Sequence, residues 1–197
     1  MSGNQAASSG RLVVVAAPSG AGKTTLTHAL IERMKARGTP AAFSVSFTTR
    51  PPRSGERNGV HYHFVDEVMF EAMVRKNEFL EHAHVFGRRY GTGRVVTEAL
   101  LAEGKQIFLD IDWQGARQVR ERLPGQTLLL FVLPPSLEEL ERRLRGRGQD
   151  SEETIRRRMK AAEEEIHHAP EFDHRVVNDD FNRALNELER LVLPVSP

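Results

Sequence analysis

The chain has 197 residues, 39% of them hydrophobic and 28% charged, with a formal net charge of +1, a balance that suits one globular unit and excludes a disordered polymer. It has no cysteine, which excludes disulfides, thiolate metal sites and a cysteine nucleophile, and nothing points to an oxidising compartment. The longest apolar runs, 12–18 and 128–133, fall far short of the roughly 18 residues of a membrane span, so the expectation is a soluble, cytoplasmic protein with no membrane partner.

Residues 1–10 are small and polar, lack the basic and apolar regions of a signal peptide, and read as a loose tail. A first strand is expected over 11–17. Leu12, Val13, Val14 and Val15 run on without alternation, as in a central strand covered on both faces. It feeds Pro18-Ser19-Gly20-Ala21-Gly22-Lys23-Thr24 and then a helical pattern over 23–37, the setting in which a glycine-rich loop binds phosphate. Backbone N–H groups around Gly20, Ala21 and Gly22 can surround phosphate oxygens at the positive end of that helix. In this pattern Lys23 bridges the β and γ phosphates of a nucleoside triphosphate and the Thr24 hydroxyl ligates Mg²⁺. Ala17 stands where the pattern G-x-x-x-x-G-K-[ST] has its first glycine, which implies an ordinary negative φ there.

A second strand is expected over 42–47. Residues 46–91 break the rhythm: Thr48-Thr49-Arg50-Pro51-Pro52-Arg53-Ser54-Gly55 reads as a loop, and alternating Val60-His61-Tyr62-His63-Phe64-Val65 as a strand, of a small separate sheet. A helix over 92–103, a strand over 106–111, a helix over 114–122 and a strand over 127–133 follow. Asp110 lies at the strand end where a phosphate site in a parallel sheet needs its second half, and is assigned to a metal water. Asp112 is expected on the same side of that strand. After Pro134-Pro135, Ser136 with Glu139 forms a capping-box pattern that starts a helix over 136–145. Gly146 and Gly148 punctuate an arginine-rich stretch, 142–158, read as a mobile flap. A helix over 151–168, a strand over 175–178 and a helix over 181–192 complete the chain. Strands alternating with helices imply an α/β fold, a parallel five-stranded sheet flanked by helices.

In order along the chain, Ser19-Gly20-Ala21-Gly22-Lys23-Thr24, Ser44-Val45-Ser46-Phe47-Thr48-Thr49-Arg50-Pro51-Pro52-Arg53, Gly55-Glu56, Asn58-Gly59, Tyr62, Phe79-Leu80-Glu81-His82-Ala83, Tyr90-Gly91-Thr92, Leu109-Asp110-Ile111-Asp112-Trp113-Gln114-Gly115, Pro134-Pro135-Ser136, Arg143-Leu144-Arg145-Gly146-Arg147-Gly148 and Val177-Asn178-Asp179-Asp180 resemble the guanylate kinase family, over about residues 11–190. The resemblance implies a P-loop NTPase core (11–45, 93–141 and 159–197), an inserted GMP-binding sheet subdomain (46–92) and a helical lid (142–158). The activity it implies is ATP-dependent phosphorylation of GMP and dGMP. ATP is then expected on Ala17, Pro18, Ser19, Gly20, Ala21, Gly22, Lys23, Thr24 and Thr25, with Asn178 at the adenine and Mg²⁺ on Thr24 and Asp110.

The implied acceptor site makes chemical sense. Arg50 and Arg53 with Tyr62 and Tyr90 would hold the GMP phosphate, guanidinium forks matching its geometry and phenols adding hydrogen bonds without charge. Glu81 and Asp112 match the family's acceptors for the guanine N1–H and exocyclic amine, and Ser46 and Thr92 its partners on the O6 side. A buried carboxylate facing the N1 lone pair of adenine is left unpaired, which rejects that base. Lys23, Arg50, Arg143, Arg147 and Arg158 match the cations that stabilise the transferring phosphoryl group. Many family members carry a tyrosine where this chain has Arg89, so no role is assigned to it. A noncatalytic relative of the family is expected to lose the ATP side, and here Lys23, Thr24 and Asp110 are present.

Other features have plainer readings. Arg142, Arg145, Arg156 and Arg157 suit a solvated helical face paired with Glu152, Glu153 and 163–165. Asn178-Asp179-Asp180 also reads as a turn and N-cap. His61 with His63, and His82 with His84, alternate on strand faces but make no zinc site without cysteine or an open coordination shell. Without aromatic stacking platforms and with a net charge near zero, no nucleic-acid partner is expected. Trp113 is read as packing.

Overall fold

All five residues of β1 (Leu12–Ala16) are buried. The computed structural model describes residues 10–85, 87–146, 148 and 150–193. β1 is the middle of a parallel sheet that also contains β2 (Ala41–Phe43), β7 (Gln106–Asp110), β8 (Thr127–Leu133) and β9 (His174–Val177), in the order β2-β7-β1-β8-β9. Its uninterrupted apolar run serves two cores. Val13 and Val15 point to the side of α1 (Lys23–Ala36) and α7 (Phe181–Val192), meeting Leu26, Leu30 and Leu188. Leu12, Val14 and Ala16 point to the other side, meeting Val119 of α4 (Trp113–Arg122) together with Phe131 and Phe172. Covering both faces with helices is what makes strict alternation unnecessary.

A second sheet is inserted between β2 and β7. β3 (Phe47–Thr48), β4 (His63–Phe64), β5 (Phe79–Val85) and β6 (Arg88–Gly93) lie in the order β4-β3-β6-β5, with β5 and β6 antiparallel. A helix that the sequence reading did not foresee, α2 (Glu67–Arg75), is capped by Asp66 and buries Phe70 and Met73 against Phe79. α3 (Arg94–Ala102) returns the chain to the main sheet. α5 (Leu137–Gly146) and α6 (Glu152–His167) follow β8.

Several expectations need correction. The strand expected over 42–47 is two strands in two sheets: Ser44 still bonds to the Phe108 carbonyl, and Phe47 then leaves to pack on Phe79 and His63. The helix expected from 92 starts at Arg94, because Thr92 and Gly93 finish β6 opposite Glu81 and Phe79. Of the expected strand over 60–65 only His63–Phe64 joins the small sheet, and Tyr62 makes an isolated bridge to Asn58. Gly59, at φ 75, begins a turn closed by its bond to the Tyr62 carbonyl, and His61 lies in that turn, accepting from the Arg57 N–H. The 142–158 stretch holds the end of α5 and the start of α6, in agreement with the helices expected over 136–145 and 151–168. Gly10, expected in the loose tail, is buried and bonded to the Leu101 carbonyl; residues 1–9 lie outside the described residues.

Candidate active site

The loop between β1 and α1 gets its shape from two glycines in the left-handed region, Gly20 at φ 102 and Gly22 at φ 93. Ala17 keeps an ordinary φ, since Asn77 is the one non-glycine with positive φ among the described residues. Gly22 is the N-cap of α1 and supplies no capping side chain. The first N–H groups of the helix are therefore left for an anion, with the positive end of the helix dipole behind them. Ala17, Pro18, Ser19, Gly20, Gly22, Lys23, Thr24 and Thr25 line one wall of a cleft of about 350 Å³; Ala21 is fully buried beneath it.

Lys23 pairs with Asp110, whose other oxygen accepts from the Thr24 hydroxyl at 2.9 Å. Burial pulls the Lys23 ammonium down, but Asp110, with Glu165 and Asp112 behind it, raises it above the ordinary lysine value. The loop thus arrives with a charged lysine facing carboxylates on neighbouring elements. Asp112, expected on the same side of the strand as Asp110, lies beyond it: β7 ends at Asp110, and Asp112 is the N-cap of α4, accepting from the Gly115 N–H at 2.9 Å.

The opposite wall comes from the small sheet and the α4 cap: Ser46, Tyr62, Glu81, Tyr90 and Asp112. Glu81 is 2% exposed and accepts from the Thr92 hydroxyl at 2.6 Å. Burial is the main cause of its carboxyl being pushed up to about 7, with Thr92 opposing. Room for its second oxygen comes from Gly115, where a Cβ would lie 2.6 Å from Glu81 Oε2. If Glu81 receives the acceptor, as the family resemblance implies, Gly115→Ala is expected to raise the KM for the acceptor about tenfold while that for ATP stays put, because alanine suits the helix but displaces the carboxylate. Steady-state kinetics in both substrates checks this.

Arg50 is pinned at the mouth of this wall. Its Nη2 donates to Glu56 Oε1 at 2.8 Å, Glu56 Oε2 accepts from the Arg53 backbone N–H at 2.7 Å, and the guanidinium lies over the Tyr62 ring. The Arg50 hydrogen bond holds the Glu56 carboxyl at about 2. The Tyr62 and Tyr90 rings meet edge to face, and burial pushes the Tyr62 hydroxyl above its usual range. The Arg53 side chain is exposed. Arg89 ties α2 to the small sheet through Glu67 and Glu71.

Two of the flap arginines, Arg143 and Arg158, are engaged away from the cleft in this arrangement. Arg143 pairs with Glu139 and donates to the Asn178 carbonyl at 3.0 Å, and Arg158 pairs with Asp150 at 3.1 Å. Arg147 lies outside the described residues. Arg142 and Arg145 belong to surface pairs, with Glu139 for the first and with Glu141 and Glu152 for the second. Asn178 does not line the cleft: its side chain reaches the loop from behind and donates to the Ala21 carbonyl at 2.7 Å. Trp113 stacks on His168, and Arg117 lies over its ring.

Two residues went unassigned in the sequence. Glu165 was grouped with the surface glutamates, yet it lines the cleft, where burial pushes its carboxyl to about 7. Its helical spacing from the buried Ile155 and Ala162 is a signal that could have placed it on the inner face. Glu56, the clamp on Arg50, stands in the sequence only as part of the Gly55-Glu56 motif with no role attached, because the bond depends on how the proline-rich loop folds back.

A phosphate loop with a second sheet closing the same cleft is the arrangement of a P-loop phosphotransferase, with donor and acceptor face to face. Comparison with known proteins narrows the class. The family model described as guanylate kinase matches residues 9–194. A guanylate kinase of Alkalilimnicola ehrlichii is 56% identical over 182 residues, covering 92% of this chain and 87% of that protein. One from Escherichia coli is 51% identical over 183 residues, covering 93% and 87%. The crystal structure of guanylate kinase from Anaplasma phagocytophilum superposes with a TM-score of 0.76 at 33% identity, covering 94% of this chain and 85% of that one. The chain belongs to the guanylate kinase family.

Proposed function

We propose that the cleft transfers the γ-phosphoryl group of ATP directly to the phosphate of GMP, with the donor on the loop between β1 and α1 and the acceptor on the small sheet. ATP-dependent phosphorylation of GMP to GDP is the activity of this kinase. The observation that carries the acceptor half is the buried Glu81, fixed by Thr92 and facing the phosphate loop across one cleft.

In this reading 11–45, 93–141 and 159–197 form the ATP core, 46–92 the GMP subdomain and 142–158 the lid. Lys23 leaves Asp110 for the β and γ phosphates, and the loop N–H groups hold the remaining oxygens. Arg50, Arg53, Tyr62 and Tyr90 hold the GMP phosphate. Glu81 and Asp112 accept from the guanine N1–H and amine, and Ser46 serves the O6 side; Thr92, also expected there, spends its one hydroxyl proton on Glu81 and acts on the base through that carboxylate. Arg143 and Arg158 exchange carboxylates for phosphate oxygens and, with Arg147, offset the charge that spreads over the moving group. Thr24 and Asp110, hydrogen-bonded to each other and offering only oxygen donors, fit Mg²⁺, which usually takes one or two protein oxygens beside phosphates and water. When bound, the ion neutralises charge on the β and γ phosphates. We assign the work to the cytoplasm, where both nucleotides are available.

Purified protein with ATP and Mg²⁺ is expected to phosphorylate GMP, and dGMP more slowly, with little use of AMP, CMP or UMP. Equal rates with AMP, or no transfer to any monophosphate, would overturn the assignment. The acidity of Glu81 adds a pH dependence. Guanine needs its ionised form, so the KM for GMP is expected to fall about tenfold from pH 6 to pH 8. In Glu81→Gln that part of the profile goes flat and only titration of the substrate phosphate remains.

A further inference from the structure

The Asn178 side chain is spent on the phosphate loop. Its Nδ2 donates to the Ala21 carbonyl at 2.7 Å in a buried contact, and Asn178 as a whole is 7% exposed. The residue is itself anchored at the end of β9. Its N–H donates to the Leu133 carbonyl at 2.8 Å, and its carbonyl accepts from Arg143 of α5 at 3.0 Å. The approach is possible because position 22 is glycine: a Cβ there would run into Asn178 Nδ2.

In a trans peptide the carbonyl and the N–H of the next residue point in opposite directions. Holding the Ala21 oxygen back toward Asn178 therefore turns the Gly22 N–H the other way. Gly22 lines the cleft and Asn178 does not, so that N–H faces the side where phosphate is received. From this we infer that Asn178 is a positioning residue for phosphoryl transfer: it fixes the Ala21–Gly22 peptide so that the Gly22 N–H is aimed at the ATP phosphates before ATP arrives. Orienting the donor in advance removes the cost of turning the peptide during binding. The inference rests on the reading of this loop as the ATP phosphate site, and it gives Asn178 a task other than touching the adenine.

The test compares Asn178→Ala and the isosteric Asn178→Asp in the full chain. Calorimetry measures Mg-ATP, inorganic tripolyphosphate as a probe without a base, and GMP. Turnover measures the preference for ATP over GTP as donor. The expected result is that ATP and tripolyphosphate weaken by the same factor, about tenfold for the alanine variant. The weakening is greater for the aspartate variant, whose oxygen opposes the Ala21 carbonyl. GMP affinity and donor preference stay as in the wild type.

Tripolyphosphate binding unchanged in both variants overturns the inference. So does a loss confined to ATP with a collapse of the ATP preference, the signature of an adenine contact. A misfolded variant would lose every ligand together, so the wild-type protein supplies a second measurement: the Gly22 amide resonance should shift on saturation with tripolyphosphate, and an unmoved Gly22 amide also overturns the inference. Wild-type protein that binds tripolyphosphate but does not phosphorylate GMP would overturn the assigned function and leave this inference standing.

Discussion

Replacing Lys23 with alanine is expected to lower kcat by about three orders of magnitude while leaving GMP affinity within about twofold of wild type. The lysine stands on the loop, raised above its ordinary value by Asp110, Glu165 and Asp112, and so is fully charged at any working pH. Its removal withdraws the one loop cation from the transferring group. It also leaves Asp110, 20% exposed at the side chain, without its ion pair and with only the Thr24 hydroxyl. Some loss of thermal stability should therefore accompany the loss of rate. Steady-state kinetics with GMP binding as the control checks the split, and near-normal kcat in this variant would remove Lys23 from the chemistry. A chelator in excess of the divalent cation is expected to abolish turnover of the wild type in the same assay.

Glu81→Gln is the second large effect expected, this time on the acceptor. Glutamine still accepts from Thr92 but turns an amide donor toward the guanine donors. With charge-assisted hydrogen bonds at roughly 1.5–3 kcal/mol each, two lost contacts correspond to a KM for GMP higher by about two to four orders of magnitude. The preference for GMP over other monophosphates should shrink with it, while the KM for ATP holds. Stability moves the other way. The folded carboxyl sits at about 7, above the ordinary 4.5, so its contribution is whole below pH 4.5 and is lost as pH rises through 7. At pH 8 the ionised, buried group opposes folding by on the order of 3 kcal/mol, and the glutamine variant should melt at a higher temperature than wild type there, with the advantage gone at pH 4.5. An unchanged KM for GMP would sink the assigned role of Glu81, and a lower melting temperature at pH 8 would sink the account of its burial.

The features that could be read before the structure are those written in contiguous residues. The apolar run of β1, the glycines at 20 and 22, and the lysine and threonine that follow form one local unit whose conformation depends little on distant chain. The capping pair Ser136 and Glu139 was local in the same way, and the Glu139 N–H does bond to Ser136. Prediction failed where a boundary depended on a partner far along the chain. Phe47 and Thr92 look like continuations of neighbouring elements and are recruited instead into the small sheet by β6 and β5. α2 escaped notice because nine residues with two buried apolar side chains give too short a period to stand out.

The same division runs through the site. By itself the sequence determined a phosphate loop on a buried parallel strand, a carboxylate at the end of another, and the family whose motifs follow in order. Only the tertiary structure decided which groups meet. It placed Glu81 in a pocket that Gly115 keeps open, tied Arg50 to Glu56, brought Glu165 into the cleft, and set Asn178 behind the loop, 157 residues from the carbonyl it holds. The reason is physical: a local motif carries its own backbone geometry, whereas the acidity of a carboxyl or the direction of a peptide N–H depends on neighbours that only folding supplies.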